Sequence, residues 1–348
     1  MGYVKKKYKV MLLFLVTAGC LIFFKSISLS RNTNHLTKAK LKFLPFTSVE
    51  YLLSTDVCMY KKPRILILIT SHVLNESART AIRQSYPRDL FRQYNVQLIF
   101  LLAQENTLEN QITIQKEFIQ FNDIIQGNFT EAYRNLTYKH YMGLKWSRDH
   151  CASAKYVVKM DDDIVINFYV LFNIINQFKN HFHLMGHIIT DMKPIRDISN
   201  KWYVTEEEYA KNTYPSFLSG WMYIAKSGAI NRMLQHVDSA TFFWIDDVFI
   251  TGIIRELAGI KLTDIKRYFR YEPKNIECCI KNKYSCHFLA APSGKNYKLN
   301  VNFNSHLWEC RYKKTCMLES NLKTSCLVTN NFIPIKGYFQ NFTNNNLA

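Results

Sequence analysis

Beyond its first 30 residues the chain has no run of 18 apolar residues, which excludes a protein that crosses a membrane many times. No internal repeat and no low-complexity tract occur, and 48% hydrophobic with 14% aromatic residues is too much apolar material for a mostly disordered chain. No G-x4-G-K-[ST] stretch is present, so the phosphate cradle of a P-loop phosphotransferase is missing. No Cys-x2-Cys pair is present either, which turns the reading of the cysteines away from zinc and towards disulfides. The first 45 residues contain no acidic side chain at all.

What is there begins with 348 residues, enough for two domains or for one large α/β domain with appendages. The net charge of +18 arises from 45 Lys+Arg against 27 Asp+Glu. Nine of those positive charges lie in the acid-free N-terminal stretch, which leaves an ordinary basic globule behind it. With no recognition motif, that charge does not predict a nucleic-acid partner.

The N-terminus reads as an address. Val10 to Phe24 is an apolar run preceded by Lys5, Lys6, Lys7 and Lys9. More positive charge before than after such a segment holds the N-terminus in the cytosol and sends the rest into the lumen. The favoured reading is a cytosolic tail over 1–9, an uncleaved signal anchor over 10–24 and a polar stem over 25–60. A cleaved signal peptide is the alternative, although no small-x-small site follows Phe24. Four sequons, at Asn75, Asn128, Asn135 and Asn341, agree with a lumenal address. Cys20 lies inside the apolar run, which leaves eight cysteines, six of them between Cys278 and Cys326. Disulfides in an oxidising compartment are expected, with a zinc cluster as the alternative.

From Arg64 onward strands and helices alternate. Ile65–Ile69 and Val96–Ala103 are apolar runs of strand length, the mark of strands buried on both faces. Asp123–Gln126 and Tyr156–Met160 are two more strands. Helices are expected over 76–90, 108–121, 130–152 and 168–182. Alternation of this kind predicts βαβ units and a mostly parallel sheet, with ligands bound beyond the carboxyl ends of its strands. Asp161-Asp162-Asp163 follows the fourth strand directly. Three adjacent carboxylates at such a place call for a cation, and hard oxygen ligands suit Mn2+ or Mg2+. In extended chain Asp161 and Asp163 converge while Asp162 faces elsewhere. A plain solvated acidic turn is the other reading. Asp246-Asp247 opens an apolar helix-like stretch, where the acids are either catalytic or simple caps.

Five ordered motifs carry a resemblance. Arg79-Thr-Ala-Ile-Arg83-Gln-Ser-Tyr86, Asp123-Ile-Ile-Gln126 with Tyr133-Arg-Asn-Leu-Thr137, Lys159-Met-Asp161-Asp162-Asp163-Ile-Val-Ile-Asn167, Tyr214-Pro215 with Ser219-Gly220 and Tyr223, and Asp246-Asp247-Val-Phe-Ile-Thr-Gly252 resemble the motifs of Golgi β-1,3-glycosyltransferases, the galactosyl- and N-acetylglucosaminyltransferases. Tyr86, Val165 and Leu218 depart from the residues usual there.

The resemblance implies a GT-A fold: a Rossmann-like, mostly parallel sheet flanked by helices, with an acceptor-binding second half. It implies a catalytic domain over 61–290 and a Cys-containing extension over 291–348. The implied reaction is inverting transfer of a hexose or N-acetylhexosamine from a UDP-sugar to a hydroxyl, the 3-OH by analogy, of a glycan on glycoprotein or glycolipid, with Mn2+. Asp247, with Asp246 as the close alternative, is the implied base. Asp163, Asp161 and His287 are the implied metal ligands. Asp161, Asp162, Lys159, Arg79 and Arg83 are the implied donor-binding residues. Trp202, Trp221 and Trp244 are candidates for stacking on sugar rings or for core. The implied location is the Golgi membrane, single-pass type II with the catalytic domain in the lumen. A catalytically silent, glycan-binding or chaperone-like lumenal relative is the alternative.

Overall fold

The computed structural model describes residues 44–179 and 181–317. The anchor over 10–24, most of the stem, Cys20, Cys326 and the sequon at Asn341 lie outside the described residues. Among the described residues no helix is long and apolar enough to cross a membrane.

Ten strands build the body: β1 (Tyr51–Ser54), β2 (Ile65–Thr70), β3 (Val96–Gln104), β4 (Ile124–Thr130), β5 (Tyr156–Asp161), β6 (Ile164–Ile166), β7 (Leu184–Ile189), β8 (Phe217–Lys226), β9 (Leu262–Asp264) and β10 (Ala290–Pro292). Eight form one sheet in the order β1-β4-β3-β2-β5-β8-β7-β9, and β6 and β10 form a separate two-stranded ribbon. The run β4-β3-β2-β5 is parallel throughout. This is the α/β architecture with a mostly parallel sheet that the alternating apolar runs predict. β2 and β3 are buried on both faces, so their sequences are continuous rather than alternating.

Each face of the sheet has its own core. Ile65, Ile67 and Ile69 point to one side with Val158 and Met160, against the helix Phe168–Phe178. Leu66, Leu68 and Val157 point to the other, against the helix Leu136–His150. By the period of two, Lys159 and Asp161 leave β5 on the Val157 side. The sheet thereby delivers them beneath the helix that carries His140.

Three boundaries differ from expectation. The helix expected over 76–90, stopping near Pro87, ends at Ser85, and a second helix, Arg88–Tyr94, follows the proline. The helix expected over 130–152 starts at Leu136, because β4 runs on to Thr130 and a 3-10 turn follows. The stem does not extend to residue 60. β1 pairs with the edge strand β4, and Cys58 is bonded to Cys151 93 residues away.

The body also continues past residue 290. Leu299, Phe303 and Leu307 of the helix Lys298–Tyr312 share a small core with Val165, Ile276 and Phe288. Cys279–Cys286 and Cys310–Cys316 are disulfides beside that core.

Candidate active site

The acids stand where the parallel strands end. Asp161 closes β5, and Asp162 and Asp163 form the tight turn into β6. The turn, not strand alternation, separates the three side chains. Asp162 is buried, and its Oδ2 accepts from Ser71 Oγ at 2.7 Å and Asn75 Nδ2 at 3.2 Å. Asp163 is exposed and makes no ion pair among the described residues. Although solvent reaches Asp163, partial desolvation by the protein around it, together with the Asp162 charge, raises its pKa above the ordinary carboxylate value. Asp161 is pushed up to about 7, by burial first and then by Asp246 and Asp163, against the opposing pull of Lys159.

Lys159 lies under this turn. Its Nζ donates to Asp161 Oδ1 and to Gly220 O, both at 2.7 Å, and stands 3.9 Å from Asp246 Oδ2. A buried ammonium with these partners ties the two acidic clusters to one cation. It points into the protein and not towards a ligand.

Asp246 and Asp247 begin the π-helical stretch Val248–Ile254. Their surroundings push them apart. Burial alone would raise Asp246, but the Lys159 charge and the hydrogen bond from His140 hold it well below the ordinary value. Asp247 is pushed up to about 7 by burial and by the Asp246 charge. Its Oδ1 accepts from Val248 N at 2.9 Å and its Oδ2 from Gly220 N at 3.2 Å. Asp247, and not Asp246, is therefore the capping side chain. A pair of carboxylates split in this way is the usual mark of an acid–base site.

Other expected residues do not join the site. Arg79 and Arg83 do not offer a grip for a diphosphate. Arg79 is fully buried, and its five N–H groups go to Glu117 Oε1 and Oε2, Ser71 Oγ, His72 O and Val73 O. Arg83 grips Asp123 with two 2.8 Å bonds, stands 2.8 Å from Glu117, and stacks over Phe121. Both brace the wall behind the cleft. His287 is not beside the aspartates. In the β6–β10 ribbon, Pro292 faces Ile164 and Ser293 N donates to Asp163 O at 2.7 Å, whereas His287 lies past the ribbon's other end, beyond the Asn167–Leu289 bond. Its Nε2 meets Ser285 Oγ at 3.3 Å.

The tryptophans separate as well. Trp244 is buried, and Trp221 is half-buried against Tyr271. Trp202 is 41% exposed and donates from Nε1 to Tyr133 OH at 2.7 Å, and Tyr133 is 49% exposed. The Tyr133 ring stands 6.0 Å from that of Trp244, two residues before Asp246, and its pKa is raised by burial and by the charges of Asp246, Asp247 and Asp161. Tyr133 and Trp202 thus form an aromatic lip on the cleft.

Sequence reasoning missed His140. Its Nδ1 lies 2.9 Å from Asp246 Oδ2 and its Nε2 2.7 Å from Tyr223 OH. A lone histidine in an ordinary helix gives no signal, since only the sheet register across β5 and β8 brings Tyr223 beside Lys159 and both beneath residue 140.

A divalent cation fits these residues by the chemistry of the donors. Asp161 and Asp163 offer hard carboxylate oxygens whose negative charge the protein only partly offsets. Two buried hydroxyls without a partner among the described residues, Thr70 Oγ1 and Ser293 Oγ, belong to residues that flank them.

The profile of the family described as galactosyltransferase matches residues 77–266. Beta-1,3-galactosyltransferase 5 of Mus musculus is 31% identical over 237 residues, 67% of this chain and 77% of that one. The protein of the same name from Pan paniscus is 27% identical over 83% of this chain and 95% of its own. UDP-GalNAc:beta-1,3-N-acetylgalactosaminyltransferase 1 of Homo sapiens is 29% identical over 66% of this chain and 72% of its own.

Proposed function

The chain belongs to the galactosyltransferase family and is a glycosyltransferase, and from that premise we propose that it inverts the anomeric carbon as it moves galactose or an N-acetylhexosamine from a UDP-sugar to a glycan hydroxyl. The observation that carries the reading is the convergence of two acidic clusters, remote in sequence, on the buried Lys159. One cluster faces the donor's diphosphate and the other the incoming hydroxyl.

Asp161 and Asp163 would hold Mn2+, which when bound offsets the charge of the departing UDP. Asp247 Oδ2, held by one long bond from Gly220 N, takes the proton of the acceptor hydroxyl. The acceptor oxygen forms its bond to the anomeric carbon as the bond to the UDP oxygen breaks on the opposite face. Asp246 stays ionised beside Lys159, which is fixed by Gly220 O and orients Asp161. The Trp202–Tyr133 lip packs against the C–H face of the acceptor sugar.

The proposed setting is the Golgi membrane, type II, with an anchor over 10–24 and the body from Pro45 onward in the lumen. Peptide-N-glycosidase is then expected to collapse a mass ladder arising from Asn75, Asn128, Asn135 and Asn341. An unglycosylated chain would contradict that topology.

The full-length chain in detergent, offered a panel of UDP-sugars with a glycan acceptor, tests the activity. Release of UDP that needs acceptor and Mn2+, and stops with chelator, is the expected result. No turnover of any UDP-sugar, with donor and glycan still bound, would favour the silent relative.

A further inference from the structure

The hydrogen bonds of His140 reach beyond that reading while resting on it. The helix Leu136–His150 buries His140 at 1% exposure over Tyr223 of β8. Asp246 is a carboxylate, so its Oδ2 can only accept, and the bond must come from Nδ1–H of His140. The buried Tyr223 then donates its O–H to the bare Nε2. One tautomer of a neutral imidazole satisfies both partners. Burial, which keeps the His140 pKa below its ordinary value, agrees with that neutral state.

We propose that His140 is a positioning residue: the chain Tyr223–His140–Asp246 holds Asp246 turned inward at Lys159, and so leaves Asp247 as the carboxylate free to meet the acceptor hydroxyl. The two acids are adjacent in sequence, and neither burial nor motif tells them apart. The difference between them is the company each keeps. Asp246 is fastened to a side chain of another helix, whereas Asp247 is held only by the backbone amides of Val248 and Gly220. Lys159 keeps its bonds to Asp161 Oδ1 and Gly220 O without Asp246, so loss of His140 disturbs the acceptor side of the cleft and spares the donor side.

Two side chains of similar bulk separate positioning from mere filling. In His140→Asn the amide nitrogen lies where Nδ1 was and keeps the bond to Asp246. In His140→Gln the amide lies where Nε2 was and keeps only the contact with Tyr223. Full-length wild type, His140→Asn, His140→Gln and Asp247→Asn are compared for kcat, for donor KM and for melting temperature. The expected result is a kcat for His140→Asn at least tenfold above that of His140→Gln, with donor KM within about threefold of wild type in both. Equal losses in the two variants, a better His140→Gln, or a fall expressed in donor KM would overturn the inference. Full activity in Asp247→Asn would instead overturn the base assignment on which it rests, whatever the His140 variants do.

Discussion

At the scale of single residues, the site depends on charges that feel one another. The Asp247 pKa is raised by burial and then by the Asp246 charge, and a base must be deprotonated to work. Activity is therefore expected to fall as pH drops through about 7. Asp246→Asn removes the neighbouring charge while keeping an oxygen for His140, so it lowers the Asp247 pKa. The acid limb of the kcat/KM profile is expected to move to lower pH in that variant, and a limb that stays or moves up would refute the coupling. In the proposed reading Trp202, paired with Tyr133, packs against the acceptor sugar. Trp202→Ala is expected to raise acceptor KM roughly three- to tenfold, from the ~0.5–1.5 kcal/mol of an aromatic contact. Donor KM stays level, and the two Michaelis constants measured separately decide it.

At the scale of elements, β5 and β8 set the site, and their contributions were unequally legible. β2, β3 and β5 announce themselves as apolar runs, and the aspartates follow β5 without a gap. Between β7 and β8 no helix intervenes, and β8 returns antiparallel to both β7 and β5. Their pairing is non-local, and with it the placement of Tyr223 and Gly220 beside Lys159. The family resemblance implies His287 as a ligand, but it carries no information on ribbon register, which brings Ser293 to Asp163 instead. The resemblance implies Arg79 and Arg83 as donor-binding residues, whereas the fold turns both on buried acids. Their acidic partners Glu117 and Asp123 lie 38 and 40 residues on, beyond what helical spacing can reveal. Gly220 tests the packing of β8 against Asp247. A Cβ there would stand 3.3 Å from Asp247 Oδ2, so Gly220→Ala displaces the base without touching the cation site. Asp247 must give by a few tenths of an ångström, and since placement of a reacting group governs rate, Gly220→Ala is expected to lose kcat with its melting temperature preserved. Unchanged kcat would show that Asp247 tolerates the shift.

At the scale of the whole molecule, the fold keeps its charges in closed groups. Arg79, Arg83 and Glu117 form one such group behind the cleft, almost out of reach of solvent. Burial would raise the Glu117 pKa, but hydrogen bonds and charge from Arg79 and Arg83 bring it below its ordinary 4.5. A group whose pKa is depressed by folding stabilises the fold above its unfolded value and loses that stabilisation as pH falls through the folded one. Glu117→Gln is expected to cost roughly 3–5 kcal/mol near neutrality, because it leaves the buried Arg79 without its carboxylate partner, and the penalty is expected to narrow below pH 4.5. Denaturant midpoints across pH check this, and a penalty constant with pH would exclude it. The brace matters because it holds the end of β2, where Ser71 meets Asp162, and so the floor under the aspartates. The central claim is that these parts converge on Asp247 as the base of a glycosyl transfer. Its most direct measurement is turnover and donor titration on full-length wild type and Asp247→Asn with Mn2+ and the best UDP-sugar. The account predicts a kcat lower by about 10²–10⁴-fold, the span of general base catalysis, with donor dissociation constant unchanged. Wild-type turnover in Asp247→Asn would contradict it.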